Sequence, residues 1–232
     1  MLKKKLAISS LALTLAIAAI LSACAPGKPS GGSSSAVFGK DVLATVDGKT
    51  ISYSEFVTSK KTYDKSFEIS SKYRSAAFLP SGIKSTAVKK TARLLLQDQI
   101  EDRVIQEDCQ KLGITVSSDE ARKTFETNMS TIQNQMQNGS ATEKENAKMN
   151  WDLLQSLAKS LGMTLDEYNA KYEVEATQDV LLKTKHYQYV TSHLSDKERL
   201  SGTTENLYQK HVQELVKKSK VEINEALLKT LE

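Results

Sequence analysis

The chain of 232 residues is 39% hydrophobic and 26% charged, with 32 basic and 28 acidic side chains and a formal net charge of +4. This supports one domain with a real core, or two small ones, and excludes a disordered chain. Two cysteines exclude a disulfide framework and a multi-cysteine zinc site, while only three prolines and ten glycines point to long helices rather than a turn-rich β-sandwich.

Lys3, Lys4 and Lys5 precede a largely apolar stretch from Leu6 to Leu21, the charged and apolar regions of a secretory signal. The stretch is slightly shorter than the roughly 20 residues a spanning helix needs. Leu21-Ser22-Ala23-Cys24 then resembles the bacterial lipobox, in which small residues precede a cysteine that is acylated before cleavage. Residues 1–23 are therefore expected to be a lipoprotein signal peptide, with Cys24 as the lipidation site. Residues 24–39 follow as a tether holding Pro26, Gly27, Pro29, Gly31, Gly32 and a run of serines. Such a coil buries nothing and reaches about 20–25 Å from Cys24 to Lys40. Two or more acyl chains would make membrane anchoring stable. The expected location is the extracytoplasmic face of the cell membrane. Removing the three signal lysines leaves a net charge of +1, too small a basic surplus for nucleic-acid binding.

Residues 40–232 are expected to form one domain. Val42 to Val46 reads as a strand, Asp47-Gly48 as a type I′ turn, and Lys49 to Ile51 as the returning strand. Ser52 with Glu55 forms a capping box for a helix over 53–76, interrupted near Pro80-Ser81-Gly82. A helix over 84–112 carries Val88, Ala92, Leu95, Ile100, Ile105 and Leu112 and ends at Gly113 as a C′ glycine. Ile114-Thr115-Val116 is an extended link, and Ser117 with Glu120 a second capping box. A helical hairpin follows, turning at Asn138-Gly139-Ser140. Its first arm carries Ala121, Phe125, Met129, Ile132 and Met136, and its second Trp151, Leu154, Leu157 and Leu161.

Thr164 with Glu167 opens a long helix through Tyr168, Tyr172, Ala176, Val180, Tyr187, Val190 and Leu194. Ser195 with Glu198 starts a short turn that breaks near Ser201-Gly202. A helix over about 204–219, a strand at Lys220 to Ile223 and a short helix within 224–232 close the chain. An isolated hairpin is marginal in water, so the C-terminal strand is expected to complete a small sheet with the N-terminal hairpin. The fold class is mostly α, with long helices and this small sheet.

The opening Val42 to Ile51 with Ser54-Glu55-Phe56 resembles the SurA-type N-terminal chaperone module and the same region of PrsA-type foldase lipoproteins, whose chaperone part is akin to the C-terminal module of trigger factor. The stretch Gln99 to Glu107, ending Lys111-Leu112-Gly113-Ile114-Thr115-Val116-Ser117, resembles the second signature of that family, and Leu215 to Ile223 its closing helix and strand. The resemblance spans roughly residues 40–232. It implies an ATP-independent chaperone for unfolded or newly exported polypeptides. PrsA-type proteins insert a parvulin prolyl-isomerase domain of about a hundred residues before the closing helix. Here only twelve residues separate Leu194 from Leu207, so the isomerase activity is not expected to carry over.

No residue constellation asks for catalysis or a cofactor. His186 and His193, seven apart, could share a helical face, yet surface histidines are the expectation because no further ligands accompany them. Cys109 reads as a small buried hydrophobe. There is no G-x-S-x-G elbow and no phosphate loop, and Asp119-Glu120 and Asp166-Glu167 sit at helix starts, where capping and the helix dipole explain them. The candidate client-binding residues are Phe125, Met129, Ile132, Met136, Trp151 and Met163, because methionine-rich apolar surfaces adapt to many sequences. The competing assignment is that these residues pack the hairpin arms together. The alternative function is a non-enzymatic binding or scaffolding lipoprotein holding one dedicated envelope partner.

Overall fold

The structure, a computed structural model, describes residues 38–74 and 88–232. The expected signal, lipobox, Cys24 and most of the tether lie outside the described residues, as does the break at Pro80-Ser81-Gly82. Strands β1 (Val42–Val46) and β2 (Lys49–Ser52) form the expected hairpin. Asp47 and Gly48 both take positive φ, +48° and +82°, as the tight turn requires. Strand β3 (Val221–Ile223) pairs antiparallel with β1, giving the order β2-β1-β3. The C-terminal strand therefore completes the sheet, with Ala44 opposite Ile223 and Val46 opposite Val221.

Nine α-helices accompany the sheet among the described residues. They are α1 (Tyr53–Arg74), α2 (Ala92–Leu112), α3 (Ser118–Asn138), α4 (Ala141–Ser160), α5 (Leu165–Tyr168), α6 (Val174–Ser192), α7 (Asp196–Arg199), α8 (Thr204–Lys218) and α9 (Glu225–Lys229). Three of them, α1, α2 and α9, pack on the sheet. The core beneath the sheet is closed: Leu43, Ala44, Val46, Phe56, Leu96 and Leu228 are at most 1% exposed. Strand, α1, α2 and α9 residues meet there, so the two ends of the domain share one core. A second cluster of Ile105, Cys109, Val190, Tyr208 and Val212 joins α2, α6 and α8.

Several boundaries differ from the sequence expectation, each for a local reason. Helix α2 begins at Ala92, eight residues later than expected, because the Thr91 hydroxyl accepts the Leu94 N–H and fixes the N-cap there. Val88 consequently lies outside the helix and is 81% exposed. Gly113 is the left-handed C′ residue, its N–H bonded back to Cys109 and Gln110. On α4 it is Leu153, rather than Leu154, that is buried with Leu157. The expected long helix after Thr164 carries a π-turn over Asn169–Glu173 between α5 and α6, which rotates its apolar stripe.

The capping pattern is largely as expected. Thr164 with Glu167 and Ser195 with Glu198 form complete reciprocal boxes. Ser140 with Glu143 forms another, at a place where the sequence suggested only a turn. Ser117 caps α3 by accepting the Glu120 N–H, but the Glu120 carboxylate pairs with Lys185 on α6, which also donates to the Thr115 carbonyl. Gly139 is demanded by space, since a Cβ there would stand 2.6 Å from the Gln135 carbonyl oxygen.

Candidate functional site

Helix α3 packs against α4 and α6, and α4 in turn against α1. Phe125, Met129, Ile132 and Met136 recur on α3 at steps of four, three and four, which places them on one face. Ile132 is buried, while Phe125, Met129 and Met136 are half-buried. Trp151 on α4 is half-buried. Met163 is also half-buried and lies beyond α4, after Gly162, with its N–H donated to the Ala158 carbonyl. The hairpin closes as expected between α3 and α4, joined by two residues and the Ser140 cap.

Burial is distributed differently here from the sheet core. On the 21 residues of α3 only Ala121 and Ile132 are buried, whereas α2, of equal length, buries seven. None of the six candidate residues belongs to the exposed large hydrophobics, which are Val57, Val88, Leu94, Leu112, Tyr189 and Leu200. The stripe is thus neither sealed nor fully presented. Most of its apolar side chains are partly shielded and partly open to solvent.

A second constellation joins α2, α6 and α8, and sequence spacing did not point to it. His186 on α6 is fully buried, which corrects the expectation of a surface histidine. Its Nε2 lies 3.0 Å from Asp108 Oδ2 on α2, and its Nδ1 3.0 Å from the Tyr208 hydroxyl on α8. A carboxylate only accepts, so in a neutral ring Nε2–H donates to Asp108 and Nδ1 accepts the Tyr208 O–H. His211, one turn along α8 from Tyr208, places its Nε2 3.7 Å from the same Asp108 oxygen. His193, seven residues on, is exposed as expected; its ring stacks on Tyr189 and its Nδ1 bonds to the Tyr189 carbonyl. Burial pushes the Tyr208 phenol upward, with nearby acidic groups adding to the effect.

Cys109 is fully buried, as a small hydrophobe should be. Desolvation, with the adjacent Asp108 charge, pushes its thiol up to about 11. The thiolate needed for nucleophilic chemistry is therefore suppressed. At the start of α5 the Glu167 carboxylate caps the helix, and the Thr164 N–H and hydroxyl hold it below its ordinary range. An open pocket of about 490 Å³ between α1 and the end of α4 is lined by Lys61, Asp64, Lys65, Phe67, Glu68 and Ser160, among others. Among the described residues no helix is long and apolar enough to cross a membrane.

The segment between α6 and α8 is occupied by the four-residue α7 and its flanking turns, which leaves no room at that point for an inserted parvulin domain. No curated protein and no solved structure matches the chain. A family model described as the SurA-like N-terminal domain matches residues 3–148, more than half of the chain. With the hairpin running into α1 and the C-terminal strand closing the sheet, the chain belongs to the SurA-like N-terminal domain family.

Proposed function

We propose that this protein is a lipid-anchored, extracytoplasmic, ATP-independent holdase for unfolded or newly exported polypeptides, working without a chemical step and without prolyl-isomerase activity. Membership of a chaperone-type family supports the general role. The lipobox-like Leu21-Ser22-Ala23-Cys24 and the coil after it support the anchor and the location.

The observation that carries the reading is the contrast between the closed sheet core and the half-buried stripe of Phe125, Met129, Met136 and Trp151. A holdase needs weak, adaptable apolar contacts and a polar rim that keeps it soluble. Half-buried methionines supply both reach and conformational freedom, while the neighbouring positions Glu126, Thr127, Gln133, Asn134 and Gln137 are exposed and polar. Binding of this kind burdens no single contact with high affinity, so client chains can exchange. Light scattering of several unrelated unfolding clients tests it: protection of all of them supports the holdase, and protection of none opposes it. Capture of a single stoichiometric envelope partner, with no general protection, would favour the scaffolding alternative.

A further inference from the structure

We propose that Asp108, His186 and His211 form a binding site for a divalent transition-metal ion, with zinc the best fit, that clamps α2, α6 and α8 together. Their ligand atoms all lie within 4.8 Å of one another. Two pairs are resolved more closely: His186 Nε2 is 3.0 Å and His211 Nε2 3.7 Å from Asp108 Oδ2. Ligands about 2.0–2.1 Å from a tetrahedral ion stand about 3.3–3.4 Å apart, so the two Asp108 distances bracket the required spacing, and the His186–His211 pair lies within 4.8 Å.

His211 supplies an independent reason. Its Nε2 is shielded from solvent and has no hydrogen-bond partner, although it points at a carboxylate oxygen. A shielded polar atom without a partner is costly, and a metal ion shared with Asp108 and His186 would satisfy it. The His211 side chain as a whole is 36% exposed, which gives the ion a path in and a water the fourth position. Two imidazoles and one carboxylate suit zinc and its neighbours, whereas calcium and magnesium prefer oxygen-only sites.

Tyr208 completes the arrangement. Once His186 Nε2 holds the metal, the imidazole proton resides on Nδ1, and Nδ1–H donates to the Tyr208 oxygen 3.0 Å away. The ring changes tautomer without changing charge, and the tyrosine fixes its orientation as second partners of ligating histidines do. The consequence is mechanical. Asp108, His186 and His211 come from three separate helices, and α6 is the one on which the candidate client-binding helix α3 packs.

The test uses the untagged full chain after chelator treatment, with ZnCl₂ as the probe. One equivalent is expected to bind, and Zn²⁺ at about a hundredfold over Kd should raise the Tm by about 5–10 °C, while Mg²⁺ and Ca²⁺ leave it unchanged. His211→Gln should keep the metal-free Tm near wild type and weaken zinc binding at least about tenfold, and Tyr208→Phe should weaken it by about 10–100-fold. His193→Gln should bind as wild type does. Imidazole proton resonances of the wild type give a readout that needs no variant: His186 and His211 should shift on zinc addition and His193 should not. No binding by the wild type, unaltered binding by His211→Gln, or a shift confined to His193 would overturn the site.

Discussion

Asp47 and Lys220 stand 173 positions apart in sequence and exchange two hydrogen bonds: Asp47 Oδ1 accepts the Lys220 N–H at 2.7 Å, and the Asp47 N–H donates to the Lys220 carbonyl at 2.9 Å. The turn of the N-terminal hairpin is thereby fastened to the residue that enters the C-terminal strand. The Lys220 amide is the main reason the Asp47 carboxyl is held below its ordinary value. A carboxylate favoured by the fold stabilises it fully above the unfolded value near 4, and this contribution is lost as pH falls through the lower, folded value. Asp47→Asn keeps an acceptor and a residue tolerant of positive φ. It should preserve the fold at pH 7 and flatten the acid limb of stability below pH 4, measured by thermal melts across pH.

Leu228 ties the last helix into the sheet core and is fully buried beside Leu43 and Phe56. Leu228→Ala should cost about 2–5 kcal/mol in denaturant unfolding. Leu200, 89% exposed, is the control, and Leu200→Ser should lie within about 0.5 kcal/mol of wild type. Equal effects at the two positions would mean that the C-terminal helix does not contribute to the common core.

Cys109 should be inert in the native state, because burial both blocks access and pushes the thiol up to about 11. In a Cys24→Ser background, a thiol reagent at pH 7 should react only after denaturant is added. Rapid native labelling would show that the second cluster opens readily around α2.

Local chemistry made much of the fold legible in the sequence. The Asp47-Gly48 turn, the Gly113 stop and the Thr164 and Ser195 boxes each depend on residues within a few positions, and each is found where expected. The structure departs from the local pattern where a distant residue or a subtle phase change decides the outcome. Glu120 leaves its capping role for Lys185, 65 residues away. The π-turn at Asn169–Glu173 shifts the helical phase, so a single period does not describe the whole stretch. The Asp108–His186–Tyr208–His211 group was not legible, because its members come from three helices and only tertiary packing brings them together. The Met and aromatic stripe was legible as a pattern, while its half-burial depends on how α3 is shared between α4 and α6.

The proposed holdase role depends on the half-buried α3 stripe holding unfolded chains. The direct test compares wild type with the Met129→Glu/Met136→Glu double variant in suppressing aggregation of several unrelated clients. Both methionines are half-buried, so the double variant should retain the cooperative melt of the sheet core. Wild type should protect all clients, and the folded double variant should lose most of this protection. A folded double variant that protects as well as wild type would show that clients bind elsewhere.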